Sequence, residues 1–197
     1  MPEGSVSFVR QEAQRGLGHA VSLARRLVGD EPFAVLLPDD VIPALAQMVG
    51  AHTTQGGHMI ATEEVPANRI SSYGVVDIAR QQGAVQALRG LVEKPKAEDA
   101  PSRFGIVGRY ILEPSIFDGL VSQKPGSGGE IQLTDAIASD LRTAGVNGFA
   151  FDGERFDCGS VPGYLEATIA FALDRPELCN GVSQFFAARS TGNLRAA

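Results

Sequence analysis

Cysteine is scarce: Cys158 and Cys179 are the only two in 197 residues. They are too widely separated for a redox or zinc knuckle and too few for a disulfide scaffold, so a reducing, cytoplasmic setting is expected. Long apolar runs are lacking as well. Phe33 to Leu37 and Ile169 to Leu173 fall far short of the roughly 20 residues that cross a bilayer, so no membrane partner is expected. Met1 to Arg10 holds no apolar run after a basic start, which excludes a secretory signal there. Positive charge is in deficit: 17 Lys and Arg stand against 23 Asp and Glu, for a net charge of −6. Without a global basic field, nucleic acid is not the expected partner, and an anionic substrate would need local compensation.

Several catalytic signatures are missing too. No G-x-x-x-x-G-K-[ST] occurs, which excludes a P-loop, and Gly16-Leu17-Gly18 is followed at position 21 by Val21 rather than glycine, which excludes the dinucleotide fingerprint. There is no G-x-S-x-G nucleophile turn. His52 and His58 lie without partner ligands and His19 begins a helix, so zinc is not expected.

What remains is an ordinary globular composition, 44% hydrophobic and 20% charged with 23 Gly and 11 Pro. Disorder and coiled coil are disfavoured, and many turns are indicated. One domain is expected over residues 1–189, with a short, polar tail over 190–197 that frays. Val6 to Val9 reads as a strand, and Ala20 to Val28 has helical spacing that Gly29 ends. Phe33 to Leu37, between Pro32 and Pro38, suits a buried parallel strand. Val41 to Val49 reads as a short helix and Met59 to Val65 as a strand, an alternation that favours an α/β layer. Tyr73 to Ile78, Val85 to Val92 and Ile106 to Leu112 add mixed or antiparallel strands. Ile116 to Leu120, Ile131 to Leu141 and Tyr164 to Leu173 read as helices and Val146 to Phe151 as a strand, and beyond Pro176 the pattern weakens.

Leu37-Pro38-Asp39-Asp40 places two carboxylates at a strand's C-terminal end, where open α/β sheets bind ligands. Asp39 reads equally as a Mg²⁺ ligand or a helix cap, and Asp40 as the cap. Glu93-Lys94-Pro95 ends a strand and reads as solvated surface. Asp157-Cys158-Gly159 reads as a turn, Gly16-Leu17-Gly18 as a tight strand-to-helix turn, and Glu130 as an acid complementing a helix dipole or accepting sugar hydroxyls.

In order, the segments are QEAQRGLGHAV (11–21), LLPDD (36–40), SYGV (72–75), LVEKP (91–95), IVGRYIL (106–112), GGEIQLTDA (128–136) and FDCG (156–159). From about Val6 to Leu173 this pattern resembles the bacterial UTP:glucose-1-phosphate uridylyltransferases. The resemblance implies an N-terminally truncated, Rossmann-like nucleotidyltransferase fold: an α/β architecture with a mixed, mainly parallel sheet and helices on both faces. It also implies an enzyme making UDP-glucose and pyrophosphate from UTP and glucose 1-phosphate with Mg²⁺. By motif, Gln11 and Gly16 match the pair that reads uracil. Asp39 and Asp157 match the metal-side aspartates, and Gly74, Glu93 and Glu130 the glucose contacts. Lys94 matches the phosphate-binding lysine, and with Asp39 it makes up the catalytic pair. Arg15 stands where an apolar residue is usual, leaving open a related enzyme with another base or sugar.

The family's first strand and its Gly-rich triphosphate loop have no counterpart after Met1. The expectation is therefore a chain competent only with the missing segment, with a complementing N-terminal segment or a homo-oligomer as its expected protein partner. The rival is a non-catalytic remnant that binds sugar nucleotide or associates with a full-length homologue.

Overall fold

The computed structural model describes residues 6–190. By contact the chain divides into two compact units, one of residues 1–37 and 44–153 and the other of 38–43 and 154–197. The single domain expected over 1–189 thus contains two separately packed bodies.

In the first unit, residues 6–16 form no regular element, and Phe8 is 95% exposed. The strand expected at Val6 to Val9 is not formed: β propensity needs a neighbouring ladder, and none of the described strands pairs with this segment. Helix α1 spans Leu17–Ser22 and α2 Arg25–Val28, and Gly29 ends the latter at a φ of 69°. Strand β1 is Phe33–Leu36. Residues 40–41, expected to open a helix, instead form β2 of the second unit. Helix α3 begins only at Leu45 and runs to Gln55, after which come β3 (His58–Glu64), β4 (Gly74–Gln82), β5 (Val85–Glu93) and β6 (Phe104–Leu112). Helices α4 (Ile116–Ser122) and α5 (Leu133–Ser139) precede β7 (Val146–Ala150).

The sheet order is β1-β6-β3-β7-β5-β4, with a further bridge between β4 and β6. It is mixed, as expected, but among the described strands only β3 and β7 run parallel, and every other pairing is antiparallel. Strand β1 corrects the expectation of a doubly covered parallel strand. It pairs antiparallel with β6 at the sheet's edge, and Leu36 is 48% exposed. An apolar run identifies a strand but does not say which neighbour it takes.

The core lies between one face of the sheet and α1, α4 and α5, where Ile60, Val76, Tyr110, Phe117, Leu133 and Ile137 meet. Alternation along β3 turns Met59 to the other face, where α3 packs on β3 and β6 with Met48 fully buried. Helices therefore cover both faces. At one edge of this core His58, fully buried, accepts a hydrogen bond at Nδ1 from the Glu113 backbone N–H (3.1 Å), which leaves Nε2 as the donor to Asp140 Oδ2 (3.0 Å).

In the second unit, β2 (Asp40–Val41) pairs antiparallel with β8 (Phe156–Asp157). Helix α6 (Val161–Leu173) follows, and α7 (Pro176–Ser190) packs against it. The weak pattern beyond Pro176 is thus a 15-residue helix. Its one clear sequence signal is proline at the first helical position, where the missing N–H costs nothing. Of the tail expected over 190–197, Ser190 closes α7 and the rest lies outside the described residues. No described helix is long and apolar enough to cross a membrane.

Candidate active site

The first unit gathers six of the residues singled out in the sequence into two neighbouring contacts. The first joins residues 11–18 to the segment that leads into α5. Gly16, at a φ of 94°, comes so close to residues 130–131 that a methyl group on it would lie 2.8 Å from Glu130 Cβ and 2.8 Å from Ile131 O. The Gly18 N–H donates to Ile131 O (2.9 Å) and the Ile131 N–H to Arg15 O (2.8 Å). The glycine pair therefore serves close approach between two segments more than 100 residues apart, beyond the local turn that its spacing suggests. Gln11 belongs to the same contact, its Nε2 donating to Gly16 O (3.2 Å) and reaching His19 Nδ1 (2.9 Å).

The second contact lies at the paired ends of β4 and β5, where Gly74 stands opposite Glu93. A methyl group on Gly74 would lie 3.0 Å from Glu93 Oε2 and 3.2 Å from Thr134 Oγ1. A side chain at 74 would make that carboxylate and hydroxyl give way by a few tenths of an ångström. The Glu93 side chain is 13% exposed, so it is not the solvated acid that its strand-end position suggests, and its Oε1 lies 3.8 Å from Lys94 Nζ. Lys94 has a φ of 46°, the only positive value at a non-glycine among the described residues. Such a conformation in a lysine costs on the order of 1–3 kcal/mol and clusters at functional sites. The Lys94 N–H donates to Tyr73 O (3.1 Å), which helps hold the turn.

Glu130 lies in the first contact, on the same segment that brings Thr134 to the second. It does not cap α5, whose N-cap residue is Gln132 with no side-chain cap; instead it accepts from Gln132 Nε2 (3.1 Å). Gln132 and Thr134, both buried, and His19, half-buried, belong to this site although they were not singled out in the sequence. For the first two a signal existed: polar residues at 132 and 134 interrupt an otherwise apolar stretch, and buried polar groups need a reason to be there. For His19 only proximity to Gln11 in space reveals a role.

Asp39 and Asp157 belong to the second unit. The Cys158 N–H donates to Asp39 O (2.7 Å), and a methyl group on Gly159 would lie 3.2 Å from Asp157 Oδ1 and 3.7 Å from Asp39 Oδ2. Two hard oxygen donors thus converge on a residue with no side chain. The donor set fits a hard divalent cation, which needs only one or two protein carboxylates when phosphate and water complete its shell. No group of three or more His, Cys, Asp or Glu side chains gathers as a metal cage among the described residues. Asp40 does not cap a helix: the N-cap of α3 is Ala44. Asp40 is buried, and its Oδ1 accepts from Arg155 Nε (2.6 Å), a pairing that offsets the cost of removing both charges from water. Behind the pair, Ser160 caps α6 by accepting from the Gly163 N–H (3.2 Å) and donates to Asp157 O (3.1 Å).

A family model, nucleotidyl transferase, matches residues 3–172. The chain therefore belongs to the nucleotidyl transferase family. More particularly, it is 42% identical over 185 residues to a UTP–glucose-1-phosphate uridylyltransferase of Staphylococcus haemolyticus. That alignment takes in 92% of this chain and 64% of the relative, so the chain spans somewhat under two thirds of that protein's length. Among solved structures, a UDP-glucose pyrophosphorylase complexed with UDP-glucose superposes with a TM-score of 0.80 at 41% identity, covering 86% of this chain and 66% of that one. A UDP-glucose pyrophosphorylase from Acinetobacter baumannii superposes with a TM-score of 0.84 at 38% identity, covering 95% and 67%.

Proposed function

We propose that this chain supplies the base-, sugar- and metal-binding residues of a uridylyl transfer from UTP to glucose 1-phosphate, giving UDP-glucose and pyrophosphate. The observation that carries this reading is the grouping of Gln11 and Gly16 with Glu130, and of Gly74 with Glu93 and Lys94, in one unit of a family member. The names of its relatives point the same way.

In this reading Gln11 and the backbone at Gly16 take the uracil, a neutral base whose edge needs an amide and a close backbone. Glu93 and Glu130 accept hydrogen bonds from glucose hydroxyls, and Gly74 leaves room for the ring beside Glu93. Lys94, held over its turn by the Tyr73 carbonyl, sets its ammonium against phosphate. The sugar-phosphate oxygen attacks the α-phosphorus of UTP and pyrophosphate leaves, so no enzyme nucleophile is required. The chain's contribution is to hold the reactants in line and to neutralise charge gathering on oxygen. Asp39 and Asp157 would hold Mg²⁺, which when bound supplies charge neutralisation at phosphate oxygens.

Calorimetry on residues 1–197 tests the reading. UDP-glucose is expected to bind more tightly than UTP, because the base and sugar contacts are assigned to this chain. Glu93→Gln is expected to weaken UDP-glucose while leaving UMP within about twofold, less than about 0.5 kcal/mol. A clear preference for UTP over UDP-glucose in the unaltered chain would overturn the assignment.

A further inference from the structure

Among the described residues the Gln11 side chain makes two polar contacts, and both use the same atom. Its nitrogen faces Gly16 O at 3.2 Å and His19 Nδ1 at 2.9 Å. A carbonyl oxygen only accepts, so the amide atom facing it must be the NH₂ group. The second proton of that group then goes to His19, whose Nδ1 must offer a lone pair. With both protons committed, the amide can present only Oε1 to a ligand.

We infer that His19 is a specificity-positioning residue. By accepting from Gln11 it fixes the amide so that an acceptor, and not a donor, faces the base. This rests on the reading that Gln11 meets the nucleobase. An outward acceptor suits a base edge carrying an imide N3–H, which uracil has, and it opposes the bare N3 lone pair of cytosine. Discrimination comes less from attraction to uridine than from the unpaired acceptor that cytidine would leave against Oε1. His19 needs no contact with substrate for this, only its place in the first turn of α1, eight residues beyond Gln11.

The test measures the ratio of affinities for UDP-glucose and CDP-glucose by calorimetry on residues 1–197. Three variants are compared. His19→Phe keeps a ring but removes the acceptor, His19→Ala removes both, and His19→Asn returns an amide oxygen near the Nδ1 position. One neutral hydrogen bond is worth about 0.5–1.5 kcal/mol, so the uridine preference is expected to fall roughly twofold to tenfold in His19→Phe and in His19→Ala. His19→Asn is expected to restore most of it. A merely structural His19 would lower both affinities and the melting temperature together and leave the ratio unmoved. If UDP-glucose binds in preference to CDP-glucose and the ratio survives both acceptor-removing substitutions, the inference about His19 falls while the uridine reading stands. If the unaltered chain shows no preference for UDP-glucose, the base reading falls and the inference with it.

Discussion

At Lys94 the backbone and the side chain pull in different directions. A φ of 46° suits glycine and strains lysine, and Pro95 follows, which disfavours compact conformations in the preceding residue. The strain is tolerated because Lys94 N–H is tied to Tyr73 O and, in the proposed reaction, because the ammonium is needed there. Lys94→Gly is therefore expected to keep or raise the melting temperature, by up to about 1 kcal/mol of relieved strain, while weakening binding of glucose 1-phosphate by roughly tenfold, about 1.4 kcal/mol. Lys94→Ala should weaken binding equally without gaining stability. Thermal melting and calorimetry on the same preparations separate strain from charge. Equal stability of the Ala and Gly variants would remove the strain argument. The Glu93-Lys94 pair was visible in LVEKP as a strand end, but the burial of the Glu93 side chain was not, because it depends on Thr134 and Gly74, which are distant in sequence.

Two arrangements act at the scale of elements. Gly163, in the first turn of α6, lies against the Asp157 carbonyl oxygen so closely that a methyl group there would overlap it. Gly163→Ala must push the helix start away from β8, at an expected cost of about 1–3 kcal/mol, and should displace the Asp157 carboxylate with it. Circular dichroism melting and Mg²⁺ titration followed by calorimetry would register both effects, and an unchanged melt would contradict the packing.

Asp140 ties the ends of β3, α4 and α5 together. Burial pushes its carboxyl up, but hydrogen bonds from Ser115, His58 and Thr143 outweigh this and hold it below the usual carboxylate range. A lowered folded-state value means stability that is fully present above the unfolded value of about 3.9 and lost as pH falls through the folded value. Asp140→Asn is therefore expected to melt lower than the unaltered chain at pH 7, by roughly 1–3 kcal/mol of stability, with the gap closing below about pH 4. Melting both chains from about pH 7 to about pH 3 checks the sign. A gap that widens on acidification would be the wrong one.

For the molecule as a whole, the division of labour follows the two units. The residues proposed to take base and sugar lie in one, and the Asp39 and Asp157 carboxylates proposed to hold the metal in the other. Removing divalent metal with EDTA is accordingly expected to leave UMP affinity within about twofold, while Mg²⁺ strengthens binding of UTP. Calorimetry with and without chelator checks this, and a large loss of UMP affinity in EDTA would contradict the assignment of metal ligation to Asp39 and Asp157 alone.

The amino-acid order by itself determined the family resemblance, the α/β class and most strands and helices, because hydrophobic period and glycine or proline punctuation are local properties. It also singled out Glu93, Lys94 and Glu130 through the specific motifs LVEKP and GGEIQLTDA, and Gln11, Gly16, Gly74, Asp39 and Asp157 through shorter ones. Only the tertiary structure decided partnership. It made β1 an antiparallel edge, left Val6 to Val9 without a ladder, turned residues 40–41 into a strand and gave Asp40 to Arg155. It brought Gly16 to Glu130 and Thr134 to Gly74, and it set His19 against Gln11. Those outcomes depend on contacts between residues distant along the chain or on which protons a neighbour accepts, and neither is written in a local pattern.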